Sequence, residues 1–135
     1  EESMTKARRK VLTILQEATE PLSVSSIVQH PSVDFNQATV YRSLHYLEQH
    51  GYLDSFILHC TDHGTERYYS CHSEGEHHKH WFHCTACHRF TDLGSCFLHE
   101  HLQEWESDYG FSVTDHTFFL TGVCQSCKAT TASKD

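Results

Sequence analysis

The residues best equipped for chemistry in this chain are those bearing sulfur and imidazole. Seven cysteines and fourteen histidines occur in 135 residues, and eleven of the histidines lie between His59 and His116. Cys84-Thr-Ala-Cys87 and Cys124-Gln-Ser-Cys127 are two C-x-x-C pairs with 36 residues between them. Such a pair, set in a tight turn, aims two sulfurs at one point. Two pairs together supply the four thiolates of a tetrahedral structural zinc site. The alternatives are two disulfides or a redox dithiol. An odd number of cysteines speaks against disulfides, and a redox dithiol does not need two copies. An ion held by Cys84, Cys87, Cys124 and Cys127 closes a long loop, which removes entropy from the unfolded chain.

The run His77-His78-Lys79-His80, with His83 close behind, is the second concentration of ligands. On an extended strand alternate side chains share a face. His78 and His80 then point one way and His77 the other, so one strand can feed two sites. Asp54 and Cys71 stand at the two ends of an expected hairpin, where antiparallel pairing brings them close. A site of Asp54, Cys71, His78 and His80 offers sulfur, nitrogen and oxygen, a borderline-soft set suited to zinc. Filling it would fix the orientation of the two halves of the chain, a conformational switch. Taken singly, Cys71 also reads as a small buried hydrophobe and Asp54 as a solvated strand residue. His77, His99 and His116 make a possible third site, with Glu100 and His101 as alternatives. Cys96 reads as a buried structural cysteine, with a spare thiol or a metal ligand as the alternatives, and Cys60 has no assigned role.

The elements that position these groups follow from periodicity and capping. Thr5 caps a helix over 5–19 with Val11, Leu12 and Leu15 at helical spacing. Ser23 caps a short second helix, and Asn36 caps a third over 37–50, ended by Gly51. Strand-like runs at Tyr52–His59 and Glu66–Cys71 flank the turn Thr61-Asp62-His63-Gly64. Three helices followed by a hairpin is the order of a winged helix-turn-helix, whose third helix enters the major groove. Beyond it come strands at 79–84 and 89–93, a helix near 96–109 with Leu102 and Trp105 inward, a strand at 116–123, and a polar tail over the last eight residues. The expected class is α+β: a winged-helix domain over 1–72, a hinge at 73–78, and a small α/β dimerisation and metal-binding domain over 79–135.

Charge divides the same way. Residues 1–53 carry five Lys/Arg against six Asp/Glu, whereas residues 54–135 carry five against twelve. The first half tolerates a phosphate backbone and the second is repelled by it. Arg8 and Lys10 are candidate phosphate or minor-groove contacts, and Thr39, Tyr41 and Arg42 on the third helix are candidate DNA contacts. The net charge of −8 argues against wholesale wrapping of nucleic acid. No apolar run approaches the roughly 20 residues of a membrane span, and no basic-then-apolar leader opens the sequence. The expectation is therefore a cytoplasmic protein without a membrane partner. HExxH and the H-x-E/P-C-x-x-C pattern of zinc deaminases are absent, which removes the usual zinc-enzyme readings.

These motifs together give the chain a family resemblance. Over residues 5–128 it resembles the ferric uptake regulator superfamily of bacterial metal-dependent repressors. The resemblance rests on Thr5-Lys-Ala-Arg8, Ala38-Thr39-Val40-Tyr41-Arg42, Leu47 to Gly51, the histidine run at 77–80, both cysteine pairs, and Gly110-Phe111 followed by His116. Within the superfamily the chain is most similar to the zinc uptake regulators, which place an aspartate after the recognition helix, here Asp54, and a cysteine after the hairpin, here Cys71. Lys79 departs from the pattern, standing where the family often has a metal-binding Asp or His. The resemblance implies a homodimer that binds a palindromic operator in double-stranded DNA. It further implies Zn2+ in structural and regulatory roles, control of metal-uptake genes, and no small-molecule substrate beyond the metal ion. Sensing of iron, nickel, manganese or peroxide on the same fold is the alternative.

Overall fold

A computed structural model describes residues 4–71 and 78–133. The chain divides into two compact units, 1–75 and 76–135. His77 and the expected hinge positions 73–77 lie outside the described residues.

In the first unit, α1 (Lys6–Glu17) begins where the Thr5 side chain accepts a hydrogen bond from the Arg8 amide at 3.2 Å. It buries Val11, Ile14 and Leu15. A two-residue strand, β1 (Leu22–Ser23), runs into α2 (Val24–Val28), which Ser23 caps through the Ser26 amide. Asn36 caps α3 (Gln37–Gln49), its Oδ1 accepting from the Thr39 amide at 2.9 Å. Each cap satisfies an amide that the first helical turn leaves without a partner. α3 buries Val40, Ser43, Leu44 and Leu47, and the chain leaves it through Gly51 at φ 83°, a left-handed conformation that favours glycine. The hairpin β2 (Leu53–Cys60) and β3 (Gly64–Cys71) pairs in register from Leu53↔Cys71 to Cys60↔Gly64, and β1 adds to the other edge of β3. The helices and Leu53 and Tyr69 of the sheet enclose one apolar core. This is a winged helix-turn-helix.

In the second unit, β4 (Lys79–Cys84) is the middle strand. It pairs antiparallel with β5 (Phe90–Ser95) and parallel with β6 (Phe119–Gly122). Parallel neighbours require a crossover, and α4 (His99–Tyr109) lies within it. The interior is thin. Among the described residues only His80, Trp81, His83 and Cys84 of this unit are buried, and α4 buries none.

Three details differ from the sequence reading. Trp105 does not turn inward but is 42% exposed, because nothing within the unit covers that side of α4. Most of the expected polar tail is helical: α5 (Gln125–Ser133) starts inside the second cysteine pair, where the Lys128 amide donates to the Cys124 carbonyl at 2.8 Å. β1 is too short to produce an alternation a reader could detect.

Candidate metal centres and nucleic-acid interface

Parallel pairing of β4 with β6 sorts the ligands. Trp81 faces Phe119 and Cys84 faces Gly122 across the pair. Residues that lead into the two strands therefore meet at one end, and residues that follow them meet at the other.

The thiols meet at the trailing end. Cys84, Cys87, Cys124 and Cys127 bring their sulfurs within 4.8 Å of one another. The Sγ atoms of Cys87 and Cys124 stand 3.8 Å apart, matching the sulfur–sulfur edge of about 3.8 Å in a tetrahedron with metal–sulfur bonds of about 2.3 Å. The turn is locked by His88 at φ 68°, by its amide on the Cys84 carbonyl at 2.8 Å, and by the Thr85 amide on the Gly122 carbonyl at 2.7 Å. The amides of Cys87, Cys124 and Ala86 each donate to the Cys84 sulfur at 3.4 Å. These donors, that of Cys87 foremost, hold the Cys84 thiol down to about 5. Cys127 moves the other way, to about 12, first because its thiol hydrogen-bonds Cys124 and then through burial. Four thiols this close cannot all ionise without a cation among them. The donor set and its spacing fit zinc.

The histidines meet at the leading end. His78, His80, Cys96 and His116 also lie with their ligand atoms within 4.8 Å. The Nε2 atoms of His78 and His116 are 2.9 Å apart, and Cys96 Sγ is 3.4 Å from His116 Nε2. Two imidazole nitrogens at that distance share one proton. Once it leaves, both lone pairs can turn on a cation, and bonds of about 2.0–2.1 Å require only a few tenths of an ångström of opening. His80 Nδ1 lies 3.0 Å from the Phe118 carbonyl. A carbonyl only accepts, so the proton sits on Nδ1 and the lone pair on Nε2, the tautomer a metal needs. The Cys96 amide donates to the His78 carbonyl at 2.8 Å, and Phe97 and Phe118 pack edge-on at 5.2 Å beside His80.

The grouping differs from the sequence reading. His116 joins His78 and His80. His99 sits on α4 with its Nε2 3.4 Å from the Gln103 amide nitrogen, and His77 is outside the described residues. Asp54 and Cys71 lie one register apart at the open end of the hairpin, in the first unit. Cys96, which the sequence leaves without a place in any site, joins this cluster. It stands 16 residues beyond His80, and only the β4–β5 pairing brings it back.

The first unit presents a different chemistry. Tyr41 is 51% exposed, and Arg42, also exposed, donates to Thr39 Oγ1 at 3.1 Å. A groove of about 480 Å³ runs between α3 and the hairpin, lined by Tyr41, His45, Glu48, Gln49, Arg67 and Tyr69. Arg67 donates to Ser55 Oγ at 2.9 Å, and Ser55 donates to Glu48 at 2.6 Å. This chain ties the hairpin to α3. Burial, and after it the Glu48 carboxylate, raises the Tyr69 phenol. Arg8 does not face outward as a free cation: its guanidinium lies 3.6 Å from the centroid of Tyr46, pinning α1 to α3.

A winged helix followed by a small α/β unit is a fold found in known proteins. The ferric uptake regulator family model matches residues 2–121. The chain belongs to the ferric uptake regulator family. The ferric uptake regulation protein of Neisseria gonorrhoeae is 29% identical over 130 residues, which cover 93% of this chain and 86% of that one. A zinc uptake regulator solved with zinc and DNA superposes with a TM-score of 0.68 at 17% identity, covering 96% of this chain and 86% of the other. The Helicobacter pylori ferric uptake regulator, described with three functional metal binding sites, gives 0.64 at 21% identity over 93% and 82% of the two chains. At those identities the superpositions speak for the fold. Ferric uptake regulator family members are metal-responsive transcription regulators that bind DNA and act as dimers; they are not enzymes. Among the described residues no helix is long and apolar enough to cross a membrane.

Proposed function

We propose that this chain is a zinc-responsive repressor that acts in the cytoplasm as a homodimer on a palindromic operator and controls metal-uptake genes. The observation that carries the metal choice is the donor set of the leading-end cluster, which among the described residues is three imidazoles and a thiol. Such ligands favour zinc over the harder iron(II) and manganese(II), for which oxygen donors are better matched. The four thiols at the other end of β4 would hold a structural zinc. His78 and His80 keep the regulatory role expected of them, with Cys96 and His116 as their partners. His78 directly follows the connection from the DNA-binding unit, so an ion there restrains the point at which that connection enters the sheet. Tyr41 and Arg42 would read bases, and Thr39 would hold the Arg42 guanidinium in place.

A second copy of the chain is the partner that suits the second unit. Phe97, Trp105, Tyr109 and Phe111 are all exposed, Tyr109 at 71%. Large apolar side chains left exposed on α4 and beside it in the chain suit an association site, and a two-fold dimer would offer two recognition helices to the two halves of a palindrome.

The test is DNA binding titrated against buffered free metal, with zinc, iron(II) and manganese(II) in parallel. Zinc should drive binding at the lowest free concentration. Cys96→Ser and His116→Ala should raise the free zinc required by tenfold or more while leaving the thiol-bound zinc in place. Iron(II) driving binding at lower free concentration than zinc would refute the zinc assignment. A normal response in both variants would return the regulatory role to Asp54 and Cys71, which Cys71→Ser then checks.

A further inference from the structure

A second groove in the first unit is not used by the function proposed above, although one of its residues, Lys10, is a candidate phosphate contact in the sequence. It has a volume of about 460 Å³ and runs along α1, lined by Lys6, Arg9, Lys10 and Glu17 of the helix and by His30 and Ser32 of the loop after α2. Lys6, Arg9 and Lys10 are spaced i, i+3, i+4 and so share one face of α1. Placing three like charges together costs stability unless an anion meets them. Among the described residues none of the three has an ion-pair partner. The groove's one carboxylate, Glu17, lies two turns further along the helix.

His30 completes the set. Its Nδ1 is 3.1 Å from the Ser32 amide and 2.8 Å from the Ser32 hydroxyl. An amide N–H only donates, so Nδ1 is the acceptor and the ring proton sits on Nε2. The groove thus offers three cations and a neutral N–H donor, which is a recognition set for phosphate oxygens.

We propose that this groove is a second contact with duplex DNA and grips the sugar–phosphate backbone outside the bases read by α3. Two further observations favour a nucleic-acid backbone. The chain as a whole carries a net charge of −8, so a concentrated cationic groove runs against its trend. The loop bearing His30 and Ser32 also leads, four residues later, to Asn36, the cap of the recognition helix. The groove therefore includes the segment that leads into the N-terminus of the recognition helix. Arg8, the neighbouring cation, takes no part because it is held on Tyr46. The inference rests on the DNA-binding reading above and adds a surface to it.

Contacts of this kind position the protein without reading sequence, and their signature is the dependence of affinity on salt. The experiment uses the full metal-loaded chain and a duplex recovered by that protein from random-sequence DNA. Affinity is measured by fluorescence anisotropy across a salt series, on that duplex and on a scrambled one. Lys6→Gln, Arg9→Gln and Lys10→Gln should each make the log–log salt slope shallower by about 1, equally on both duplexes. Lys10→Arg should keep the parent slope, and so should Arg89→Gln, an exposed cation of the second unit. Unchanged melting temperatures would establish that each variant folds. A triple Gln variant with the parent slope would overturn the groove and leave the DNA-binding reading standing, as would a loss confined to the recovered duplex. A parent protein that binds neither duplex would overturn both.

Discussion

Removal of the metal from the four-thiol site should melt the second unit and spare the first. The first unit has an apolar core of ten buried side chains drawn from all three helices and both long strands. Among the described residues the second has Trp81 and Cys84 as its buried apolar residues and an α4 that buries nothing. Cross-linking Cys87 to Cys124 across the 36 residues between them removes about 4 kcal/mol of unfolded-chain entropy. A unit of this size is stable by about 3–9 kcal/mol in total. Loss of the cross-link alone therefore takes away from about half to all of the stability, before the metal–sulfur bonds themselves are counted. On the scale of about 4–8 °C per kcal/mol for a small domain, the melting temperature of the second unit falls by about 15–30 °C. The perturbation is exhaustive chelation, or Cys84→Ser. The assay is segment-resolved amide hydrogen exchange at 25 °C. Amides of β4, β5 and β6 should exchange at or near the unfolded rate, while those of α1, α3 and β3 stay protected. Undiminished protection of β4 and β6 in protein shown to be metal-free would refute the reasoning.

Zinc binding to the stripped thiol site should release protons at pH 7. Cys127, pushed up to about 12, enters as a thiol and must become a thiolate, whereas Cys84, held near 5, is already ionised. Affinity should therefore rise with pH through neutrality, and calorimetry in two buffers of different ionisation enthalpy checks the proton count. Arg8→Ala should lower the stability of the first unit by about 0.5–1 kcal/mol through loss of the stack on Tyr46, read by urea denaturation, and leave the salt slope of DNA binding unchanged. Leu44→Ala, at a fully buried core position, should cost about 2–5 kcal/mol and appear as a lower denaturation midpoint with an unaltered metal content.

The parts of this fold legible in sequence were those that depend on near neighbours. Thr5, Ser23 and Asn36 each cap an amide three residues on, and Gly51 and Gly110 stop α3 and α4 at positive φ. The four thiols were legible because each pair is local and its chemistry admits few alternatives. The second cluster was half legible. His78 and His80 share a face by alternation, but their partners depend on which strands flank β4, and neither the antiparallel return of β5 nor the parallel return of β6 has a local signal. Cys96 and His116 were accordingly assigned elsewhere. Trp105 misled for a related reason: its spacing marks an apolar face, and the face is left open within one chain. The stacking of Arg8 on Tyr46 likewise has no local signal, because it joins two helices.

The two ligand clusters share a strand, and this has a consequence for the order in which they load. Pairing along β4 and β6 advances in steps of one residue, and a slip of a single step turns every side chain to the opposite side of the sheet. The thiol knuckles clamp both strands at Cys84 and Gly122, so they act as an alignment pin for the imidazoles at the far end. With the pin absent, His80 and His116 would lose the strand alignment that brings them together. On the function proposed above, an ion at the thiol end would therefore calibrate the one at the imidazole end, and the thiol end would have to fill first.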